Sequence, residues 1–197
     1  MTQIIFIRHG MTDWNYQRRA QGQSDIPLNE EGRNQARQLA SRLKEDMWDL
    51  IFSSDLSRAS ETASIVAESI GLVVQTDRRL REMHKGVTEG TTLEERISKW
   101  GEQWESLSLG IEKDESIIQR GSSFVSELLR NYSDKRILVV SHGALIGLTI
   151  KYFIPDINID IHFGNTSITK LNFINDEWEC NLINCTSHIE DYANGIL

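Results

Sequence analysis

The residues best suited to chemistry stand where three short apolar runs stop. Ile4-Ile5-Phe6-Ile7 ends at Arg8-His9-Gly10. Leu50-Ile51-Phe52 ends at Ser53-Ser54-Asp55, with Leu56-Ser57-Arg58 close behind. Ile137-Leu138-Val139-Val140 ends at Ser141-His142-Gly143. Brought together, Arg8, His9, Arg58 and His142 would offer two guanidiniums and two imidazoles to one ligand. That set matches a tetrahedral dianion, because a guanidinium fork bonds two such oxygens at once. An imidazole beside these cations is held neutral, since its protonated form is repelled. Neutral imidazole is a nucleophile toward phosphorus. A lone histidine is more often a hydrogen-bonded structural residue. Two His-Gly steps at strand ends shift that balance, because glycine lets the backbone turn tightly and approach a ligand.

The elements that must position these residues alternate strand and helix. The run Ile4 to Ile7 reads as a buried strand. Asn29 caps a helix from Glu30 through Leu43, with acids in its first turn. Leu50 to Phe52 is a second strand, and Ser53-Ser54-Asp55 is placed to cap a helix from Leu56 to Ile70 that Gly71 ends. Val73-Val74 is a third strand. Thr92-x-x-Glu95 is a capping box, with Ile97, Trp100 and Trp104 at helical spacing behind it. Ser116 to Leu129 is amphipathic, Ile137 to Val140 is a strand, and Ala144 to Phe153 is a helix stopped by Pro155. Residues 167 to 183, with Asn175-Asp176 inside, form a closing hairpin. Strands separated by helices predict an α/β fold, a three-layer sandwich with a mostly parallel central sheet flanked by helices. In such sheets the carboxyl ends of the strands line the ligand crevice.

An ordered set of motifs resembles the histidine phosphatase superfamily, in its phosphoglycerate mutase-like branch. Arg8-His9-Gly10-Met11-Thr12-Asp13-Trp14-Asn15 resembles the family's RHGxTxWN signature. Gln21-Gly22, Asp25-Ile26-Pro27-Leu28-Asn29 and Glu31-Gly32 resemble its second block. Ser53 to Ala59 with Thr62-Ala63 resembles the third, and Leu80-Arg81-Glu82 with Gly86 and Glu89-Gly90 the fourth. Ser141-His142-Gly143 and Asn165-Thr166-Ser167 complete the order. One tripeptide recurs by chance, whereas blocks in sequence do not. The resemblance implies a metal-independent phosphomonoesterase, with no cofactor, acting on small phosphorylated metabolites. His9 would form a phosphohistidine. Arg8, Arg58 and His142 would hold the phosphoryl oxygens. Glu82 would protonate the leaving oxygen and then activate water. Asn15, Gln21, Gly22 and Gly143 would complete substrate binding.

Other readings of the same residues stay open at this stage. Arg58 is a solvated or salt-bridged helix residue in the plainer reading, and Glu82 an ordinary surface carboxylate. Trp100 and Trp104 read as packing, and His84, His162 and His188 as structural or exposed. A zinc site on His9, His84 and His142 has the right residue types without ligand spacing. The family also contains mutases, sugar-bisphosphatases and protein phosphatases. The short stretch between Glu82 and His142 favours a hydrolase over a phosphoglycerate mutase, and both intact His9 and Glu82 weigh against a non-catalytic phospho-ligand binder. Thr88 stands where the family often has Trp, which bears on substrate shape. Arg18, Arg19 and Lys85 are candidates for a second anionic group, or else surface charges. A segment from about 85 to 131, chiefly Lys85 to Glu115, would act as a lid.

The whole chain of 197 residues carries 21 basic and 29 acidic side chains, a formal charge of −8. This balance speaks against nucleic-acid partners and against a membrane-surface protein. With 39% hydrophobic residues and two prolines, disorder is excluded and a single domain over 1–197 is expected. Two cysteines, Cys180 and Cys185, read as free thiols of a reducing compartment, and the setting expected is the cytoplasm. The resemblance also implies a homodimer.

Overall fold

The computed structural model describes residues 1–157 and 162–189. Strand β1 (Thr2–Arg8) is followed by a short helix α1 (Asp13–Tyr16) and by α2 (Glu30–Leu43). Then come β2 (Leu50–Ser53), α3 (Ser57–Ile70), β3 (Val74–Thr76) and α4 (Leu93–Trp100). The chain continues through α5 (Asp114–Asn131), β4 (Arg136–Ser141), α6 (Gly143–Phe153) and the hairpin β5 (Ile168–Ile174) and β6 (Glu177–Cys185). Among the described residues the strands form one sheet in the order β3-β2-β4-β1-β5-β6. The pairs β3-β2, β2-β4 and β4-β1 are parallel, and β1-β5 and β5-β6 are antiparallel. The mostly parallel sandwich expected from the sequence is the fold observed.

The apolar runs are continuous because both sheet faces are covered. On β1, Ile4 and Phe6 pack with Ile137 and Val139 against Ile117, Phe124, Leu128, Leu145 and Ile150 of α5 and α6. Ile5 and Ile7 point the other way, with Leu138 and Val140, onto Leu39, Ala63 and Val66 of α2 and α3. Burying both faces fixes the register, since a one-residue slip would exchange the two cores.

Several boundary signals act as expected. Asn29 accepts from the Gly32 amide at 2.9 Å, Gly71 ends α3 with φ +71°, and Thr92 and Glu95 form the capping box of α4. The turn between β5 and β6 puts Asn175 and Asp176 at positive φ. Two expectations are corrected. Ser53-Ser54-Asp55 does not cap α3 through Asp55. The Asp55 carboxylate forms a two-pronged bond to Arg81, and the Ser57 amide donates to Asp25 at 2.7 Å. Trp104 does not extend the helix of Trp100. Gly101, at φ +83°, ends α4, and Trp104 sits buried in a separate 3-10 turn with Arg96 stacked on its ring. Cys180 and Cys185 are free thiols, and no described helix is long and apolar enough to cross a membrane.

Candidate active site

The sheet order brings the three polar strand ends together. β4 lies between β1 and β2, with Arg8 paired to Ser141 and Ser53 to Val140. The His9 amide donates to the Ser141 carbonyl at 3.0 Å, and Ser54 to Val140 at 3.0 Å. Arg58 enters from the second residue of α3 and is fully buried, as is His142, while His9 is 2% exposed. The His9 and His142 rings are 5.1 Å apart between centroids.

Electrostatics and geometry define the protonation of His9. Burial pushes its pKa well below the ordinary imidazole value, and the Arg58 and Arg8 cations push it further. Its Nδ1 lies 2.7 Å from the Gly10 carbonyl oxygen. A carbonyl only accepts, so Nδ1 carries the proton. The neutral ring therefore keeps its lone pair on Nε2. The His9 carbonyl accepts from Asn165 Nδ2 at 3.0 Å, and the Gly10 amide donates to Thr62, whose hydroxyl in turn donates to the Arg58 carbonyl at 2.6 Å. The loop carrying His9 and the helix carrying Arg58 are thus tied together.

The remaining groups face the same volume. His142 is pushed down by burial, then by Arg58, His9 and Arg8, and both its ring nitrogens are buried without a hydrogen-bond partner among the described residues. Buried polar atoms in that condition are the usual mark of a ligand site. Arg58 donates to the carbonyls of Ser24 at 2.9 Å and Gly22 at 2.7 Å. Burial lowers its pKa to about 10, so it stays charged at neutral pH. Arg8 Nη1 donates to the Phe163 carbonyl and lies 3.2 Å from His162 Nε2. Glu82 accepts from the Met83 amide at 2.8 Å and from Ala144 at 3.4 Å, at the first turn of α6. Arg58 and Glu82 interact electrostatically. Arg8, His9, Arg58 and Glu82 line one cavity of about 610 Å³ with Asn15, Gln21 and Gly22. Gly143 lines an adjoining lobe of about 520 Å³ that shares Arg8 and Glu82.

This arrangement has counterparts among known proteins. Residues 4–186 match the sequence pattern of the histidine phosphatase superfamily (branch 1). The chain belongs to the histidine phosphatase superfamily. It is 31% identical to the uncharacterized phosphatase PhoE of Bacillus subtilis over 98% of this chain and 99% of that protein. It is 34% identical to the probable phosphoglycerate mutase GpmB of Escherichia fergusonii over 90% of this chain and 88% of that one. A mycobacterial glucosyl-3-phosphoglycerate phosphatase, solved with VO3, superposes with a TM-score of 0.83 at 31% identity, covering 93% of this chain and 99% of that one.

Within this member of the superfamily the structure adds residues that the sequence did not single out for a role. The Glu89 carboxylate accepts from the amides of Gln23, Ser24 and Lys85. Burial alone would raise its pKa, but those bonds and the Ser24 hydroxyl hold it below the usual carboxylate value. A side chain on Gly22, at φ +54°, would strike this carboxylate at 2.1 Å, so the loop that feeds carbonyls to Arg58 needs glycine there. Arg120 of α5 donates to the carbonyls of Arg79, Arg81 and Glu82 and to the Glu112 carboxylate. It holds the backbone on which Glu82 sits. His162, read from sequence as structural or exposed, lines both lobes. Asn15 is committed to Thr12, accepting from its amide and hydroxyl, which makes it a brace of the loop as well as a wall of the cavity. Gln21 Oε1 is buried without a partner among the described residues. Arg18 and Arg19 line the larger lobe, but Arg19 is engaged by Glu95 at 2.8 Å and by the Gly90 carbonyl. His84 bonds the Gly110 carbonyl, and no group of three or more His, Cys, Asp or Glu side chains among the described residues is arranged to hold a metal ion.

Two buried neutral histidines have a consequence for stability. Unfolded, His9 and His142 titrate near about 6.5. Below that pH the unfolded chain binds more protons than the folded one, so stability falls as pH drops toward the depressed folded values. Each contributes up to about 1.4 kcal/mol per pH unit in that window. Thermal melts in phosphate-free buffer are expected to show Tm falling from pH 7 to 5, with a shallower slope in His142→Gln. A flat profile in wild type would contradict the neutral assignment.

Proposed function

We propose that the protein is a phosphomonoesterase that hydrolyses small phosphorylated metabolites through a phosphohistidine on His9. One observation carries this reading. The Nε2 lone pair of a neutral His9 lies buried beside the two arginines and His142, with Nδ1 anchored on Gly10. The relatives named as phosphatases support it.

The chemistry follows from the placement. The guanidiniums of Arg8 and Arg58 and the one N–H of neutral His142 bind the phosphoryl oxygens and stabilise their charge during transfer. His9 Nε2 attacks phosphorus as the ester P–O bond breaks opposite it. The leaving oxygen takes a proton from the Glu82 carboxyl. Water then attacks the phosphohistidine. Glu82, now a carboxylate, takes the water's proton, the N–P bond breaks, and inorganic phosphate and neutral His9 are restored. One carboxyl serves both steps because the proton moves in opposite directions. A reaction quenched in alkaline denaturant is expected to contain base-stable, acid-labile phosphoprotein, absent in His9→Ala. Steady turnover with no labelled protein at any time point would remove this reading.

Glu82→Gln keeps the shape and one of the two amide contacts but cannot donate and then accept the proton. Its kcat on alkyl phosphates is expected to fall by about 10²–10⁴-fold. Its loss on p-nitrophenyl phosphate should be much smaller, since nitrophenolate leaves without protonation. Arg120→Met should show the same dependence on leaving group in weaker form, with KM little changed. Equal losses on both esters would deny Glu82 the acid role. The kinship to a probable phosphoglycerate mutase makes isomerisation of 3-phosphoglycerate with the bisphosphate primer the second activity to assay.

A further inference from the structure

The proposed mechanism uses the inner end of the cavities and leaves one lobe unexplained. This lobe, about 520 Å³, runs outward from Arg8 and Glu82 over α6. Its floor is Gly143, Ala144, Gly147, Leu148 and Lys151. Those positions recur at the spacing of one helix face, and at 1.5 Å per residue they extend for about 12 Å. The first three are small, so the helix surface is low where it leaves the phosphoryl site. Leu148 follows, and Phe163 lies on the wall. Lys151 closes the far end, and among the described residues its side chain has no ion pair or hydrogen bond. Two arginines of the other lobe are engaged, Arg19 by Glu95 and the Gly90 carbonyl and Arg96 by the Thr92 carbonyl and the Trp104 ring.

Resting on the phosphatase reading, we infer that the α6 lobe is the leaving-group groove and selects monophosphate esters of elongated alcohols that carry a terminal anionic group, paired there with Lys151. The direction follows from Glu82. Its Oε2 lies at the Ala144 amide, on this lobe's floor, so an oxygen that takes the Glu82 proton departs over the first turn of α6. The apolar middle suits a methylene or ring segment, and the Lys151 ammonium suits a carboxylate or second phosphate; the other lysine on this lobe, Lys85, lines both lobes and has its Nζ 3.0 Å from Met83 Sδ. Asp114 also lines the lobe and opposes an anion placed too near α5, which sharpens the preference for the Lys151 end.

The test uses monophosphates of ω-hydroxycarboxylic acids of increasing length, each beside its neutral terminal amide. Binding to His9→Ala is measured by calorimetry, and turnover of p-nitrophenyl phosphate by wild type is measured in parallel. The expected result is a carboxylate preference of about three- to fivefold in Kd, the size of a partly exposed ion pair. It appears only once the chain is long enough to reach Lys151. Lys151→Met should erase it, Lys151→Glu should invert it, and neither should change turnover of p-nitrophenyl phosphate. A carboxylate preference absent at every length, or unchanged in Lys151→Glu, would overturn the groove. Failure of wild type to hydrolyse any monoester would instead overturn the phosphatase reading, and the binding profile would still decide the groove.

Discussion

His9→Ala is expected to lose phosphohydrolase activity by at least about 10⁴-fold, because no other group in the pocket can form the covalent intermediate. His142 is also buried and neutral, yet among the described residues no carbonyl anchors either of its ring nitrogens. It is placed to donate to a phosphoryl oxygen. The measurement is hydrolysis of p-nitrophenyl phosphate in EDTA by wild type and His9→Ala. Turnover by wild type alone is the expected outcome, and equal turnover by both would remove His9 as nucleophile. A loss caused by misfolding is separated by thermal shift, since inorganic phosphate should still protect His9→Ala through Arg8, Arg58 and His142. The pH dependence adds an independent check. A protonated His9 has no lone pair, and its pKa lies well below the ordinary value, first through burial and then through Arg58 and Arg8. The acid limb of kcat/KM in the free enzyme is therefore expected below the ordinary imidazole value of about 6.5.

What the sequence made legible, and what it did not, divides by distance along the chain. The strand ends were visible because a β-branched run must stop where polar residues begin, and parallel sheets expose those stops on one edge. The caps at Asn29, Thr92 and Gly71 were visible because each acts on residues within its own turn. The cap of α3 was not, because it comes from Asp25, and the neighbouring Asp55 is drawn off by Arg81. The supports of the site were hidden for the same reason. Glu89 reads as one more acid in a loop until the fold brings three backbone amides to it. Arg120 reads as one polar residue of an amphipathic helix until three carbonyls of another segment point at it. Backbone groups are the same at every position, so a side chain recruited to satisfy them leaves no pattern in residue types. Side chains suited to a phosphoryl group must be particular residues, so the sequence could expose Arg8, His9, Arg58 and His142 as candidates.

Arg58 is the second residue whose loss should be severe, and its two substitutions separate two effects. The guanidinium is fully buried, and its fork is held by the Gly22 and Ser24 carbonyls, with Nε buried and unpartnered among the described groups. Arg58→Lys keeps the charge and forfeits the planar fork, leaving at least one carbonyl without its donor. Arg58→Met keeps much of the volume and removes the charge. Removing an arginine that stabilises phosphoryl transfer costs about 10³–10⁵-fold in kcat, and Met is expected to reach that range. Lys should recover part of it, because the field at the phosphoryl oxygens survives while the bidentate geometry does not. The pH profile distinguishes the two further. Arg58 is the largest charged contributor lowering His9, so Arg58→Met should move the acid limb of kcat/KM upward, toward the ordinary imidazole value, while Arg58→Lys should move it little. If both variants lowered kcat equally and left the acid limb in place, Arg58 would be holding the Gly22–Ser24 loop and doing nothing electrostatic at the nucleophile. The buried charge would then need another reason to exist, since an arginine carried into the interior only to bond two carbonyls costs more in desolvation than a neutral donor would.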